Sequence, residues 1–183
     1  MMIESRRCAV GLCLLATLFI ASTARATVTV SLELPSVAPV VGETFDVQVV
    51  ADLPNPILGW GLDFGILSPA IATLTNVQIG DSWLPIATSD GDGLGGVAFP
   101  GPISGAGVVL ATVTLEATAE GTSDLLIGDD HLIDLTEGFA LAPDGFAAVD
   151  YVSSSITIVP EPTSLGSLCV LIGLALRRRR CVA

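Results

Sequence analysis

The chain has 183 residues, with seven Lys and Arg against 19 Asp and Glu, and its formal net charge at pH 7 is -12. This length suits one domain of ordinary size with flanking segments. The acidic balance excludes nucleic acid and anionic lipid head groups as favoured partners, because a negative surface repels both.

The N-terminus has the pattern of a secretory signal. Arg6 and Arg7 precede an apolar stretch over residues 8–21, and Ala24 and Ala26 are small residues at the positions that signal peptidase recognises. The pattern predicts a signal helix in a signal peptide over residues 1–26. Signal peptidase would cleave after Ala26.

The cysteines all lie outside residues 27–159. They are Cys8, Cys13, Cys169 and Cys181, so the exported domain has no disulfide framework. A lipoprotein processed at Cys13 is the alternative to ordinary cleavage. It is disfavoured because Leu12 stands where a small residue is required.

Residues 27–159 form an almost purely anionic domain. The sequence has no lysine, and every arginine precedes residue 27 or follows residue 176. Only Glu4 and Glu161 of the 19 acidic residues lie outside this range, which leaves 17 carboxylates within it. Such a domain should be destabilised by self-repulsion, and salt or divalent cations should raise its melting temperature.

Apolar residues alternate with polar ones through most of residues 27–159, which indicates half-buried strands. Candidate strands cover residues 28–34, 45–49, 58–66, 70–78, 96–99, 107–118, 122–127 and 152–159. Two inward sets are Leu58, Trp60, Leu62, Phe64 and Ile66, and Val109, Ala111, Val113, Leu115 and Ala117. Without a long amphipathic helix, this pattern predicts an all-β, antiparallel β-sandwich.

Several of these segments resemble the strands of cohesin domains. They are Val41–Val49, Leu58–Phe64, Val77–Gly80 and Gly107–Thr118, the last followed by Gly121 and Thr122. The resemblance covers about residues 28–159. It implies a nine-stranded jelly roll that serves as an extracellular scaffold or binds a protein or polysaccharide partner.

The domain offers little for catalysis. His131 is its single histidine and there is no cysteine, so a nucleophilic triad would depend on one imidazole in an acidic loop. Carboxylate pairs of the glycosidase type are possible by number, but no matched acid and nucleophile stands out. We expect no catalytic site and no enzyme.

Calcium is the favoured ligand among the metals, because it prefers carboxylate and carbonyl oxygens. Two acidic loops are candidate sites, one with Asp90 and Asp92 and the other with Asp129 and Asp130. The alternative is that these loops are solvated turns without a metal. Zinc is disfavoured by the shortage of His and Cys.

The two tryptophans receive different assignments. Trp60 shares its strand face with apolar residues and should lie in the core. Trp83 lies near a turn and is a candidate carbohydrate-binding side chain, a role that Tyr151 on the same surface would strengthen.

The last residues combine a rigid motif, an apolar run and a basic cluster. Pro160, Glu161 and Pro162 should be extended and accessible. The 14 apolar residues 163–176 would span about 21 Å as a short hydrophobic helix, less than the roughly 30 Å of a hydrocarbon core. A cluster of arginines follows, where the positive-inside rule places a cytoplasmic stop: Arg177, Arg178, Arg179 and Arg180. The alternative is a buried core helix.

This combination over residues 160–183 resembles the PEP-CTERM sorting signal. The resemblance implies recognition by an exosortase and transient anchoring of residues 163–180 in the inner membrane. We therefore expect an exported, non-enzymatic protein of the cell envelope or extracellular matrix. The alternative is an extracellular binding module on the same scaffold.

Overall fold

The computed structural model describes residues 27–87, 93–129 and 136–161. The predicted signal helix and C-terminal helix lie outside these ranges. Within them, every regular element is a β-strand, and no helix has the length and apolar character needed to span a bilayer. The strands are β1 (Val28–Glu33), β2 (Thr44–Ile66), β3 (Ala72–Ile79), β4 (Trp83–Pro85), β5 (Gly93–Ala98), β6 (Ile103–Ala117), β7 (Gly121–Gly128), β8 (Gly138–Leu141), β9 (Val149–Val152) and β10 (Ser154–Ile158).

The strands form two layers joined by β2. The first layer has the order β9, β1, the first half of β2, β6 and β3. In the second layer, β4 pairs with β5, which pairs with the second half of β2. On the edge away from β5, the second half of β2 pairs with β7 and β8. Strand β10 in turn pairs with β7. The prediction of an all-β sandwich is therefore confirmed.

The pairing is mixed rather than purely antiparallel, which corrects one part of the prediction. Strand β1 pairs with β9 in parallel, with Val30 opposite Tyr151, and a parallel bridge joins Val40 to Val159. Alternating hydrophobicity does not distinguish the two directions, because both kinds of strand have a side-chain period of two residues.

The strand bounds differ from the prediction in the middle of the chain. The two strands predicted over residues 45–49 and 58–66 are one strand, β2, that passes from the first layer to the second. Pro54 and Pro56 lie in this strand where its register with β6 shifts, so their missing backbone donors interrupt no regular ladder. The sequence pattern missed the short strands β4 and β8 and most of β9, and the last predicted strand corresponds to β10.

The core lies between the layers and contains most of the predicted inward residues. Phe45, Val47 and Val49 are buried on β2, as expected from their alternation. Leu58 is an exception because the register of β2 shifts between Ile57 and Gly59, and its side chain is exposed.

A second exception lies on β6. The inward set from Ala111 to Ala117 is buried, but Leu110 replaces Val109 as its first core residue. On β2, Val49 pairs with Ala111, but the next residue, Val50, pairs with Val109. Leu110 is therefore an extra residue of β6 and lies in a bulge.

Candidate interaction surface

The two tryptophans both lie in the core. Trp60 is buried as predicted, and its ring meets Trp83 edge to face, with 6.1 Å between centroids. Trp83 is only 4% exposed, and its indole N–H donates to the Val109 carbonyl at 3.2 Å. This burial corrects the assignment of Trp83 as a carbohydrate-binding side chain, because neither face of its ring forms an exposed platform.

Tyr151 is half-buried rather than part of an exposed aromatic surface. Its hydroxyl donates a short hydrogen bond to the carboxylate of Asp129, which follows β7. Burial raises the pKa of Tyr151 above its usual value, and the carboxylates of Asp129, Glu137 and Asp63 raise that pKa further. The hydrogen bond links a strand of the first layer to the end of a strand of the second.

The predicted calcium ligands are only partly described. Asp129 accepts the hydrogen bond from Tyr151, while Asp90, Asp92 and Asp130 lie outside the described residues. Among the residues that the structure covers, no group of three His, Cys, Asp or Glu side chains is placed to hold a metal ion. Calcium binding by these loops stays a prediction.

The predicted sorting motif begins where the folded domain ends. Val159 donates its N–H to the Pro39 carbonyl at 2.9 Å, and its own carbonyl accepts the N–H of Val41 at 3.1 Å. Pro160 and Glu161 follow directly and are exposed. The remaining predicted processing residues lie outside the described ranges: Ala24, Ala26, Pro162, Arg177, Arg178, Arg179 and Arg180.

A continuous apolar row crosses the outer face of the second layer. Each member of the row pairs with the next on a neighbouring strand. In order, the members are Leu84 on β4, Val97 on β5, Gly59 on β2, Ala140 on β8 and Phe146 in the turn that follows. Directly paired residues share one face of a sheet. Leu84, Val97 and Phe146 are 53%, 41% and 43% exposed. Hydrophobic side chains therefore face solvent on both sides of the small residues Gly59 and Ala140.

In the row beside the apolar row, Gly95 pairs with Gly61, and other parts of the chain cover both glycines. A Cβ on Gly61 would lie 2.0 Å from the Thr136 carbonyl oxygen, so the chain after β7 passes directly over this position. A Cβ on Gly95 would lie 2.8 Å from Ile86 Cγ1, so the Ile86 side chain packs across the neighbouring glycine. Glycine permits both close approaches.

Two neighbouring rows on the outer face of the first layer are polar. Asp46 pairs with Thr114, whose hydroxyl donates to the Asp46 carboxylate at 2.7 Å. In the adjacent row, Gln48 pairs with Thr112, which pairs with Gln78. These polar rows of the first layer contrast with the apolar row of the second layer.

The sequence pattern missed the apolar row as an interaction surface. Its members come from four strands and a turn, so no single segment contains the pattern. One signal was present, since the alternation already placed Gly59, Gly61 and Gly65 opposite the inward residues of the same strand. Glycine weakens a strand, and several glycines on one strand face often mark a place where another part of the chain or a ligand approaches closely.

Searches by sequence gave no relative, since the chain matches no protein-family model and no curated protein. Solved structures do match. A non-cellulosomal cohesin from Archaeoglobus fulgidus superposes with a TM-score of 0.56 at 17% identity, covering 78% of this chain and 98% of the cohesin.

Two further structures agree with that match. A type I cohesin–dockerin complex from Clostridium thermocellum gives a TM-score of 0.58 at 15% identity, with 77% of this chain and 99% of the matched chain covered. The cohesin module of a family 33 glycoside hydrolase from Clostridium perfringens gives 0.59 at 11% identity, with 75% and 100% covered. The described domain therefore has a cohesin-like fold.

Proposed function

We propose that the chain is an exported, non-enzymatic protein of the cell envelope or extracellular matrix that binds a protein partner through the apolar row. The exposed row itself is the observation that carries the proposal. Contiguous exposed apolar patches often mark protein–protein interaction sites, and cores of interfaces are depleted of charge.

The partner should combine an apolar centre with a basic rim. Residues 27–159 contain no Lys or Arg and 17 carboxylates, so complementary charge must come from the other protein. Cohesins of the same fold have been solved in complex with dockerins, which supports a protein as the kind of partner. A dockerin-like module is the first partner to try.

Export and processing rest on the two ends of the chain. The signal peptide over residues 1–26 directs the domain out of the cytoplasm. The tail over residues 160–183 holds it transiently in the inner membrane until an exosortase processes it at the motif of Pro160, Glu161 and Pro162. The fold supports this order of events, because Pro160 and Glu161 are exposed beside the last paired residue.

Intact mass spectrometry of the protein from its native cells tests the processing. The expected mass begins at Thr27 and ends near Pro160–Pro162. A mass that still includes the arginine cluster would contradict processing of the tail. Trypsin is unsuitable for this measurement because residues 26–176 contain no Lys or Arg.

The binding surface is tested with two double variants, each of which adds two carboxylates. Leu84→Glu with Val97→Glu adds two carboxylates to the apolar row, whereas Thr44→Glu with Thr73→Glu adds two to the polar face. Binding of dockerin modules and of basic proteins secreted by the same cells is measured by calorimetry.

The first variant pair should weaken binding by about 10- to 100-fold, as for loss of a central apolar contact, and the control pair should not. Equal loss in both pairs, or no binding by the unmodified protein, would overturn the proposal.

A further inference from the structure

The outer face of the first layer contains a polar cleft on the opposite side of the molecule from the apolar row. Its volume is about 520 Å³, within the usual range for small-molecule sites. The floor is the paired row of Gln48, Thr112 and Gln78. Asp81 and Ser82, in the turn between β3 and β4, form one wall, and the first residues of β6 form another.

We infer that this cleft binds a short segment of a neutral oligosaccharide. Each Gln side chain offers an amide donor and a carbonyl acceptor, and each hydroxyl can act in either role. Sugar hydroxyls also donate and accept hydrogen bonds, so the floor side chains can supply a complementary donor or acceptor to each hydroxyl that they contact. The carboxylate of Asp81 adds an acceptor at the wall.

The side chains on the floor of the cleft have no hydrogen-bond partners within the described part of the protein. None of the side chains of Gln48, Gln78 and Thr112 makes a hydrogen bond to another described residue, whereas in the adjacent row Thr114 is already bonded to Asp46. A ligand in the cleft would thus replace water and would not break bonds within the protein. The glutamines remain available for recognition.

The dimensions and charge of the cleft narrow the ligand class. Neighbouring strands lie about 4.8 Å apart, so the three floor residues extend over roughly 10 Å, enough to contact adjacent units of a sugar chain. Acidic sugars and phosphate are disfavoured, because the domain offers no Lys or Arg and Asp81 would repel them. The cleft should therefore select uncharged saccharides.

A sugar chain fits this position better than an extended peptide. A peptide that adds to a sheet bonds to the backbone of an edge strand, and β3 is that edge among the described strands. Gln48 lies two strands further in, on the face of the sheet. Recognition at Gln48 must therefore use side chains, as it does for a saccharide.

Saturation-transfer difference NMR tests the inference on the full chain, solubilised in a detergent without a sugar head group. The probes are cellohexaose, mannohexaose and, as an anionic comparison, tetragalacturonate. At least one neutral hexaose should bind, with a dissociation constant on the order of 0.1–1 mM for a few weak polar contacts.

Gln48→Ala and Gln78→Ala are the test variants, and Asn76→Ala is the matched control on the same face. Each Gln variant should weaken binding at least about fivefold, while the control should bind as the unmodified protein does. Unchanged melting temperatures would show that the exposed substitutions leave the fold intact.

Three results would overturn the inference: no binding of either neutral hexaose, equal binding of tetragalacturonate, or no effect of the Gln variants. Preferential binding of an extended peptide would do so as well. The inference does not depend on the proposed protein partner, since Leu84→Glu with Val97→Glu should leave saccharide binding unchanged.

Discussion

The two outer faces of the sandwich share strand β2, and the polar rows on one differ in chemistry from the apolar row on the other. On the first layer, most outward positions carry hydroxyl, amide or carboxylate groups, although Val50 and Val152 share this face with Ser31. The carboxylates are those of Glu33, Asp46, Asp52, Glu116 and Asp150. On the second layer, the row from Leu84 to Phe146 has no charged residue. Asp63 and Asp124 point outward on this layer but lie in other rows.

The difference shows how a strongly acidic domain can keep a surface for binding. If its carboxylates were spread evenly, every partner would meet the same negative potential. The row from Leu84 to Phe146 contains no carboxylate, which leaves this part of the second layer neutral enough to bury apolar area. Net charge alone therefore says little about what such a domain binds.

The largest expected effect comes from adding a side chain at Gly61, in the row beside the apolar row. Gly61→Ala would place a methyl group 2.0 Å from the Thr136 carbonyl oxygen, a backbone atom that cannot simply rotate away. We expect a loss of about 3 kcal/mol or more in the free energy of unfolding, measured by chemical denaturation.

Gly65→Ala is the matched control for this substitution. It lies on the same strand, and its new methyl group would meet the Leu126 Cβ at an ordinary 3.8 Å. Its stability should stay within about 1 kcal/mol of the unmodified protein. Similar losses for both variants would show that the chain does not pass over Gly61 as described.

A smaller effect is expected where the two layers are joined by Tyr151. Its raised pKa means that the folded state favours the neutral phenol. The contribution to stability should be complete below the ordinary value of 10.0 and should decline as the pH rises from there toward the raised pKa.

The chain has one tyrosine, so tyrosinate absorbance in an alkaline titration reports on this side chain alone. Absorbance should appear above pH 10.0, together with loss of structure. Tyr151→Phe should cost about 1 kcal/mol at neutral pH and should remove the alkaline decline. Ionisation of Tyr151 at its ordinary pKa would contradict the described burial and hydrogen bond.

The smallest expected effect is a change in stability when a lysine is added next to carboxylates on the first layer. Thr29 lies between Asp52 and Asp150 on the polar face. Thr29→Lys should raise the free energy of unfolding by a few tenths of a kcal/mol at low ionic strength, and salt should remove the gain.

Val97→Lys is the comparison on the apolar row. No carboxylate flanks it in its row, so the same charge should give no gain. Equal gains at both positions would mean that lysine relieves the net charge of the whole domain and that the difference between the faces is unimportant.

The sequence predicted the parts of the fold that depend on neighbouring residues. Alternation identified Val28 and Val30 on β1 and the buried series on β6 after its bulge. It could not predict that β2 continues through Pro54 and Pro56, because that depends on a register shift against a distant strand.

The sequence also contained no indication that Trp83 is buried. Its position depends on Gly96, where a Cβ would lie 2.9 Å from the Trp83 Cβ and 3.0 Å from the indole nitrogen of Trp60. The absence of a side chain on one strand makes room for rings from two others. Candidate surfaces share this dependence, because the apolar row and the polar cleft exist only once distant strands are paired.

The length of β2 has a consequence for how the domain unfolds. One unbroken strand from Thr44 to Ile66 supplies a central member to each layer, so neither layer can separate without disrupting pairing in the other. The amides of both layers should therefore exchange with solvent through one shared global opening. The sandwich would behave as a single cooperative unit, although its two outer surfaces are free to serve different ligands.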